Sequence, residues 1–183
     1  DIADRRLSIF DFGCALGDAL PVIKTQFPKS EIAGGDVASE AIKCANERYP
    51  AFSFTSLTPF ENAPCFDVQY CSNTLEHFRD WPQLLEIVCR SSIEHAIVLV
   101  PYAERNLHEE HEATFFMADL PLRCAEKQLC SVAVADLRNI EPSYWRGWQL
   151  LAVYSVPPRG KSSSTSHTTS GSLVIDLRNY EPD

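Results

Sequence analysis

The sequence predicts an α/β fold: a mostly parallel sheet with helices on both faces and one antiparallel edge strand. Three observations carry that expectation. Short apolar runs alternate with segments of helical periodicity through the first hundred residues, which is the pattern of strand–helix–strand units. Gly13 and Gly17 interrupt the chain between the first apolar run and the first helical segment, as a tight turn between a parallel strand and a helix requires. Two late apolar runs then follow one another with no helix between them, the signature of a terminal antiparallel pair.

Taken in order, DIADRR is a polar lead-in, and Leu7, Ile9, Phe10 and Phe12 form a buried strand. A helix follows to about Phe27, with Pro21 in its first turn, where a missing N–H costs nothing. Glu31 to Val37 is a second strand with Asp36 near its end. Ala38 to Tyr49 is a second helix, capped by Ser39 and stopped by Pro50. FSFTSL at 52–57 alternates apolar and hydroxyl residues, as a more exposed strand does. Phe66 to Cys71 is the fourth strand, followed by Ser72, Asn73, Glu76 and His77. Asp80-Trp81-Pro82 opens a third helix with an Asp cap. Ala96 to Val100 is a central strand ended by Pro101. Residues 101–128 carry no clear strand, and Cys130 to Asp136 and Gln149 to Val156 form the terminal pair.

Composition narrows the class. The chain has 183 residues, 45% of them hydrophobic, and a formal net charge of −9. That is a globular domain with a real core. No Lys/Arg-rich run is present, so nucleic acid is not expected as a partner, and a neutral or cationic small molecule suits the charge better. No apolar run is long enough to span a bilayer. The seven cysteines contain no C-x-x-C pair and most lie in apolar runs, so they read as reduced, buried thiols of a cytoplasmic protein.

The glycine turn is specific in its spacing. A dinucleotide fingerprint needs glycine at 13, 15 and 18, but this chain has Gly13, Ala15 and Asp18. A nicotinamide-dependent oxidoreductase is therefore the weaker reading. Asp11, Gly13, Ala15 and Gly17 instead resemble the first motif of class I S-adenosylmethionine-dependent methyltransferases. Asp36 lies 23 residues after Gly13, where such folds place the acid that accepts from ribose hydroxyls. SNTLEHF at 72–78 resembles the corresponding run of ubiquinone-biosynthesis-type small-molecule methyltransferases. The resemblance spans residues 7–156 and implies a Rossmann-like, seven-stranded sheet. It further implies that Gly13, Ala15 and Gly17 let the backbone approach S-adenosylmethionine, and that Asp11 orients its ammonium end. Asp36 takes the ribose, Val37, Ser56 and Leu57 border the adenine, and Asn73 meets the amino-acid end. The acidic residue that many relatives carry after the third strand is missing from TSLTPFEN.

The implied function is methyl transfer to a small-molecule acceptor, most plausibly at oxygen. A degenerate, non-catalytic cofactor-fold module is the alternative. Glu76 and His77 are expected at the pocket mouth, with His77 as a base because imidazole titrates near neutral pH. His108 and His111, in NLHEEHEATFF, are expected either on a solvated helix face or beside the pocket. Their three-residue spacing is not that of H-E-x-x-H, and no metal is expected. His95 and His167 have no ligand-like context, and Trp145 and Trp148 read as packing residues.

The domain is expected over residues 1–156. Only six residues precede Leu7, so the lid helices that this family places before its first strand are expected to be missing. Residues 101–128 are then left to cover the pocket. PPRGKSSSTSHTTSGS at 157–172 reads as a flexible linker. The tail at 173–183 reads as a strand or a disordered segment, or as the start of a further domain of a longer chain. It repeats the chain's own DLRN-x-EP, present at Asp136–Pro142 and again at Asp176–Pro182.

Overall fold

The computed structural model describes residues 4–61, 63–140, 147–157 and 173–175. In chain order the elements are β1 (Ser8–Phe12), α1 (Ala19–Gln26), β2 (Glu31–Asp36), α2 (Ser39–Arg48), β3 (Ser53–Ser56) and β4 (Phe66–Ser72). A single 3-10 turn at Leu75–His77 then precedes α3 (Trp81–Ser91) and β5 (Ser92–Tyr102). Last come β6 (Arg123–Cys124), β7 (Lys127–Asp136), β8 (Trp148–Ser155) and β9 (Leu173–Ile175).

The sheet runs β3-β2-β1-β4-β5-β8-β7-β6, with β9 paired to β7. β1 to β5 are mutually parallel. β8 is antiparallel to both β5 and β7, so it lies inside the sheet, and the short β6 forms an antiparallel edge.

β1 shows why its run lacks alternation. Ile9 packs with Leu20, Ile32, Ile42 and Val68 on one face. Phe10 and Phe12 pack with Leu84, Leu85 and Val88 on the other. Helices thus cover both faces, and a strand covered on both faces is apolar almost throughout. From β1 the chain goes to β2 on one side and later to β4 on the other. The loops after β1 and β4 therefore diverge and leave a crevice at the C-terminal ends of the strands, where open α/β sheets bind ligands.

Several local expectations need correction. Ser39 is the first helical residue of α2, not its cap; the cap position is Ala38, with no side-chain cap bond. Asp80 does occupy the cap position of α3, yet its side chain makes no cap bond. Its carbonyl oxygen instead accepts from the Gln83 and Leu84 amides. Pro101 does not end β5. The β4 pairing stops at Leu99, and Pro101 faces only Gln149 of β8, so its missing N–H falls where one side of the strand is unpaired. Residues 101–128 do contain strand: β6 and the first residues of β7. Lys127 hid the start of β7, because it looks like a surface charge. It is 5% exposed, and its ammonium donates to the Cys89 and Ser92 carbonyls. All seven cysteines are free thiols, but Cys44, Cys65 and Cys130 are exposed rather than buried.

β9 lies parallel to β7, pairing Ala133, Val134 and Ala135 with Leu173, Val174 and Ile175. In that register the three residues just before one DLRN-x-EP copy lie opposite the three just before the other. The rest of the tail, the segment 158–172 with His167, and Trp145 lie outside the described residues. Among the described residues, no helix is long and apolar enough to cross a membrane.

Candidate active site

The glycine loop after β1 folds back on β2. The amides of Gly13 and Cys14 both donate to the Gly35 carbonyl, at 2.8 and 3.0 Å. Gly13 has φ +82°, and a Cβ there would lie 2.2 Å from the Thr74 hydroxyl oxygen. Gly17, at φ +81°, would put a Cβ 2.7 Å from the Phe54 ring. Each glycine is thus required twice, for its backbone conformation and for the close neighbour it admits. Ala15 also takes a positive φ, +45°. It is held there by its N–H, which donates to Asp36 Oδ2 at 2.8 Å. Asp36 Oδ1 accepts from the Ala38 amide at 2.8 Å.

A cavity of about 400 Å³ opens in this crevice. Of the residues the sequence singles out, Gly13, Ala15, Asp36, Val37, Leu57, Asn73 and His77 line it. Asp11, Gly17, Ser56, His108 and His111 do not. Thr58 and Pro59 continue the wall that Leu57 begins, and Phe12, Phe78 and Leu84 supply its apolar base. Asn73, at φ +49°, ends β4. Its amide oxygen accepts from Gln149 Nε2 at 2.9 Å, so β8 helps to fix a pocket residue.

Asp11 remains inside the sheet, in register with Gly34 and Tyr70, and is 3% exposed. Burial, with a smaller push from the Asp36 carboxylate, raises its pKa from 3.8 to about 7. The folded state therefore holds a proton that the unfolded chain has already lost, and the stability this gives is lost as pH rises through about 7. We expect the melting temperature of the ligand-free protein to fall between about pH 4 and pH 8, and Asp11→Asn to flatten that slope. Equal slopes in the two proteins would reject Asp11 as its source.

The chain after β5 forms a closed strap over one end of the cavity. Tyr102 bridges to Phe115, and the Ala103 amide donates to the Phe115 carbonyl at 2.9 Å. Glu104 knits the strap from inside: Oε1 accepts from the His108 amide and Oε2 from His111 Nδ1, each at 2.7 Å. The Glu112 and Ala113 amides then donate to the Glu76 carbonyl at 2.7 and 3.1 Å. His77 Nδ1 lies 3.0 Å from the Glu110 carbonyl. The cluster NLHEEHEATFF is thus a loop and not a helix face, and it brings the His111 ring to 5.1 Å from that of His77. Glu76 is turned inward rather than toward the mouth, and is fully buried. Burial, with Glu104 adding to it, pushes its pKa up to about 7. Removing the knot with Glu104→Ala leaves its partners without an acceptor, which costs about 1–3 kcal/mol. Amide exchange at His108, Glu112 and Ala113 should accelerate in that variant, and unchanged rates would contradict the knot.

Residues 10–93 match the family model described as a methyltransferase domain. This stretch of the chain is thus similar to a methyltransferase domain. The cofactor of such a domain is S-adenosylmethionine. Solved structures agree in fold. Magnesium protoporphyrin IX methyltransferase from Synechocystis PCC 6803, with bound SAH, superposes with TM-score 0.65 at 11% identity, over 83% of this chain and 75% of that one. A TehB-like SAM-dependent methyltransferase from Corynebacterium glutamicum gives 0.61 at 18%, over 85% and 83%. Mitomycin 7-O-methyltransferase gives 0.64 at 11%, over 85% and 50%. No curated protein matches the chain.

The acceptors in this pocket suit S-adenosylmethionine. Each Asp36 oxygen accepts one backbone N–H and keeps a further lone-pair site, which suits two ribose hydroxyls. Thr74, Glu104, Glu110 and Gln149 escaped the sequence reading. Thr74 sits at the unspecified position of the SNTLEHF run, and Gln149 carries no motif. Glu104 and Glu110 lie among other acidic residues, with nothing local to mark the one that turns inward or the one whose carbonyl meets His77.

Proposed function

We propose that the protein transfers a methyl group from S-adenosylmethionine to a hydroxyl oxygen of a small molecule, with His77 as the base. One observation carries this reading. A carbonyl only accepts, so His77 Nδ1 donates its proton to Glu110, and the neutral ring keeps its lone pair on Nε2. That ring lines the same cavity as Asp36 and Asn73. In this reading Asp36 holds the ribose, Val37 and Leu57 flank the adenine, and Asn73 meets the amino-acid end. The cofactor supplies an activated methyl group on a sulfonium. The protein positions an acceptor against it and removes the acceptor's proton. His108 and His111 act through the strap, which sets the end of the cavity at which an acceptor enters. The strap supports the view that residues after β5 serve as the cover. The names of the solved neighbours, which act on a porphyrin and on the 7-oxygen of mitomycin, favour a small acceptor.

The test is transfer of labelled methyl from S-adenosylmethionine to a panel of hydroxylated small molecules. Product should form with at least one of them, in the order of acidity of their hydroxyl groups. Cofactor binding without turnover on any acceptor would favour the non-catalytic module instead.

A further inference from the structure

Beside the cofactor pocket, the fold brings together three groups from two separate loops. Glu76 and His77 belong to the turn after β4, and His111 to the strap after β5. One donor atom from each lies within 4.8 Å of the other two. Glu76 is completely buried, and neither of its carboxylate oxygens accepts a hydrogen bond. Buried charges are ordinarily paired or bound to a metal. The two rings are oriented for the same purpose. His77 Nδ1 donates to the Glu110 carbonyl, and His111 Nδ1 donates to the Glu104 carboxylate. In both rings the lone pair is therefore on Nε2. A histidine whose far nitrogen is fixed by a carboxylate or a carbonyl is the usual arrangement of a metal ligand and its support.

We propose that Glu76, His77 and His111 hold a divalent cation, with Glu104 as the positioning residue for His111. One carboxylate and two imidazoles suit a borderline ion such as zinc, manganese or cobalt, and three protein ligands leave coordination positions open. The spacing of His108 and His111 conceals the site, because His108 is not part of it; the second histidine comes from the other loop. His77 also lines the cofactor cavity, which puts the cation at the cavity's edge. Its role rests on the methyl-transfer reading above, whereas its existence does not. With the cation bound, His77 is a ligand and no longer a base. An acceptor hydroxyl at an open position would then lose its proton to solvent while its oxygen keeps the electron pair on the cation.

The experiment is a titration of the full chain, free of any affinity tag, with Co²⁺ followed by visible absorption and with Zn²⁺ followed by calorimetry. S-adenosylhomocysteine affinity is measured in parallel. The native protein should bind one equivalent of each ion. Glu76→Gln, which keeps the shape of the side chain, and His111→Ala should each weaken binding by about 10–100-fold or more. His95→Ala should leave it unchanged, because that ring bonds Ser155 on the far part of β5 and β8. Retained S-adenosylhomocysteine affinity shows that each variant is folded, and Glu76→Gln decides if His111→Ala is not. Absence of saturable binding, native affinity in Glu76→Gln, or an equal loss in His95→Ala would each overturn the site. Metal binding without S-adenosylhomocysteine binding would keep the site and remove the methyl-transfer reading; the reverse would remove only the metal.

Discussion

His77→Ala is expected to lower turnover by about 10²–10⁴-fold, the contribution of a positioned base, while affinity for S-adenosylhomocysteine stays close to native. The separation follows from the geometry. The contacts assigned to the cofactor come from the β1 loop, Asp36 and the end of β4, whereas His77 reaches the cavity from the next turn and is held by the strap. The acid limb of the pH–rate profile should disappear in the same variant, because protonation of Nε2 is what stops the base. A chelator separates the two roles open to this ring. If His77 acts only as a base, native turnover is insensitive to chelation; if it holds a cation, chelation reproduces much of the loss. Full turnover in His77→Ala with an intact acid limb would end the base assignment and any part for a cation in turnover.

Gly13→Ala is expected to be the most damaging single-methyl change in the protein. The new Cβ would meet three atoms of Thr74, at 2.2, 2.5 and 2.9 Å, from a backbone at φ +82°. Left-handed strain and overpacking together cost about 2–5 kcal/mol. The displaced loop would also pull Ala15 from Asp36, so cofactor affinity falls with stability. All three contacts are with one side chain, which makes the cause separable. Thr74→Ala removes the hydroxyl and the methyl, and should return part of the lost stability in the double variant. Thermal or denaturant unfolding of the four proteins measures this. No recovery would leave the backbone conformation as the entire cause.

The sheet was legible where burial and periodicity agree. β1, β2, β4 and β5 are apolar runs of parallel type, and the glycine turn marked the crevice before any helix had to be placed. The crevice lining was legible for the same reason: Asp36, Val37, Leu57 and Asn73 lie at strand ends, and strand ends converge. What the sequence hid depends on side chains that behave against type. Lys127 is a lysine inside a strand, Pro101 a proline inside another, and Glu76 a carboxylate fully buried beneath a loop. The strap side of the cavity was legible only as a set of residue types. Its arrangement is created by the Glu104 knot and by the docking of Glu112 and Ala113 on Glu76, which are contacts between loops, and no local period encodes them. Ser56 shows the converse, because a residue next to the pocket by motif can still miss it by one position.

The most direct measurement is a calorimetric titration of the native chain and of Asp36→Ala with S-adenosylhomocysteine, with NAD as the control. One saturable site is expected in the native protein and none for NAD. Asp36→Ala leaves the ribose hydroxyls without their acceptor, which costs about 1–3 kcal/mol, or about 5–150-fold in affinity. No binding to the native chain, or equal binding to Asp36→Ala, would contradict the assignment of this crevice as a methyltransferase cofactor site.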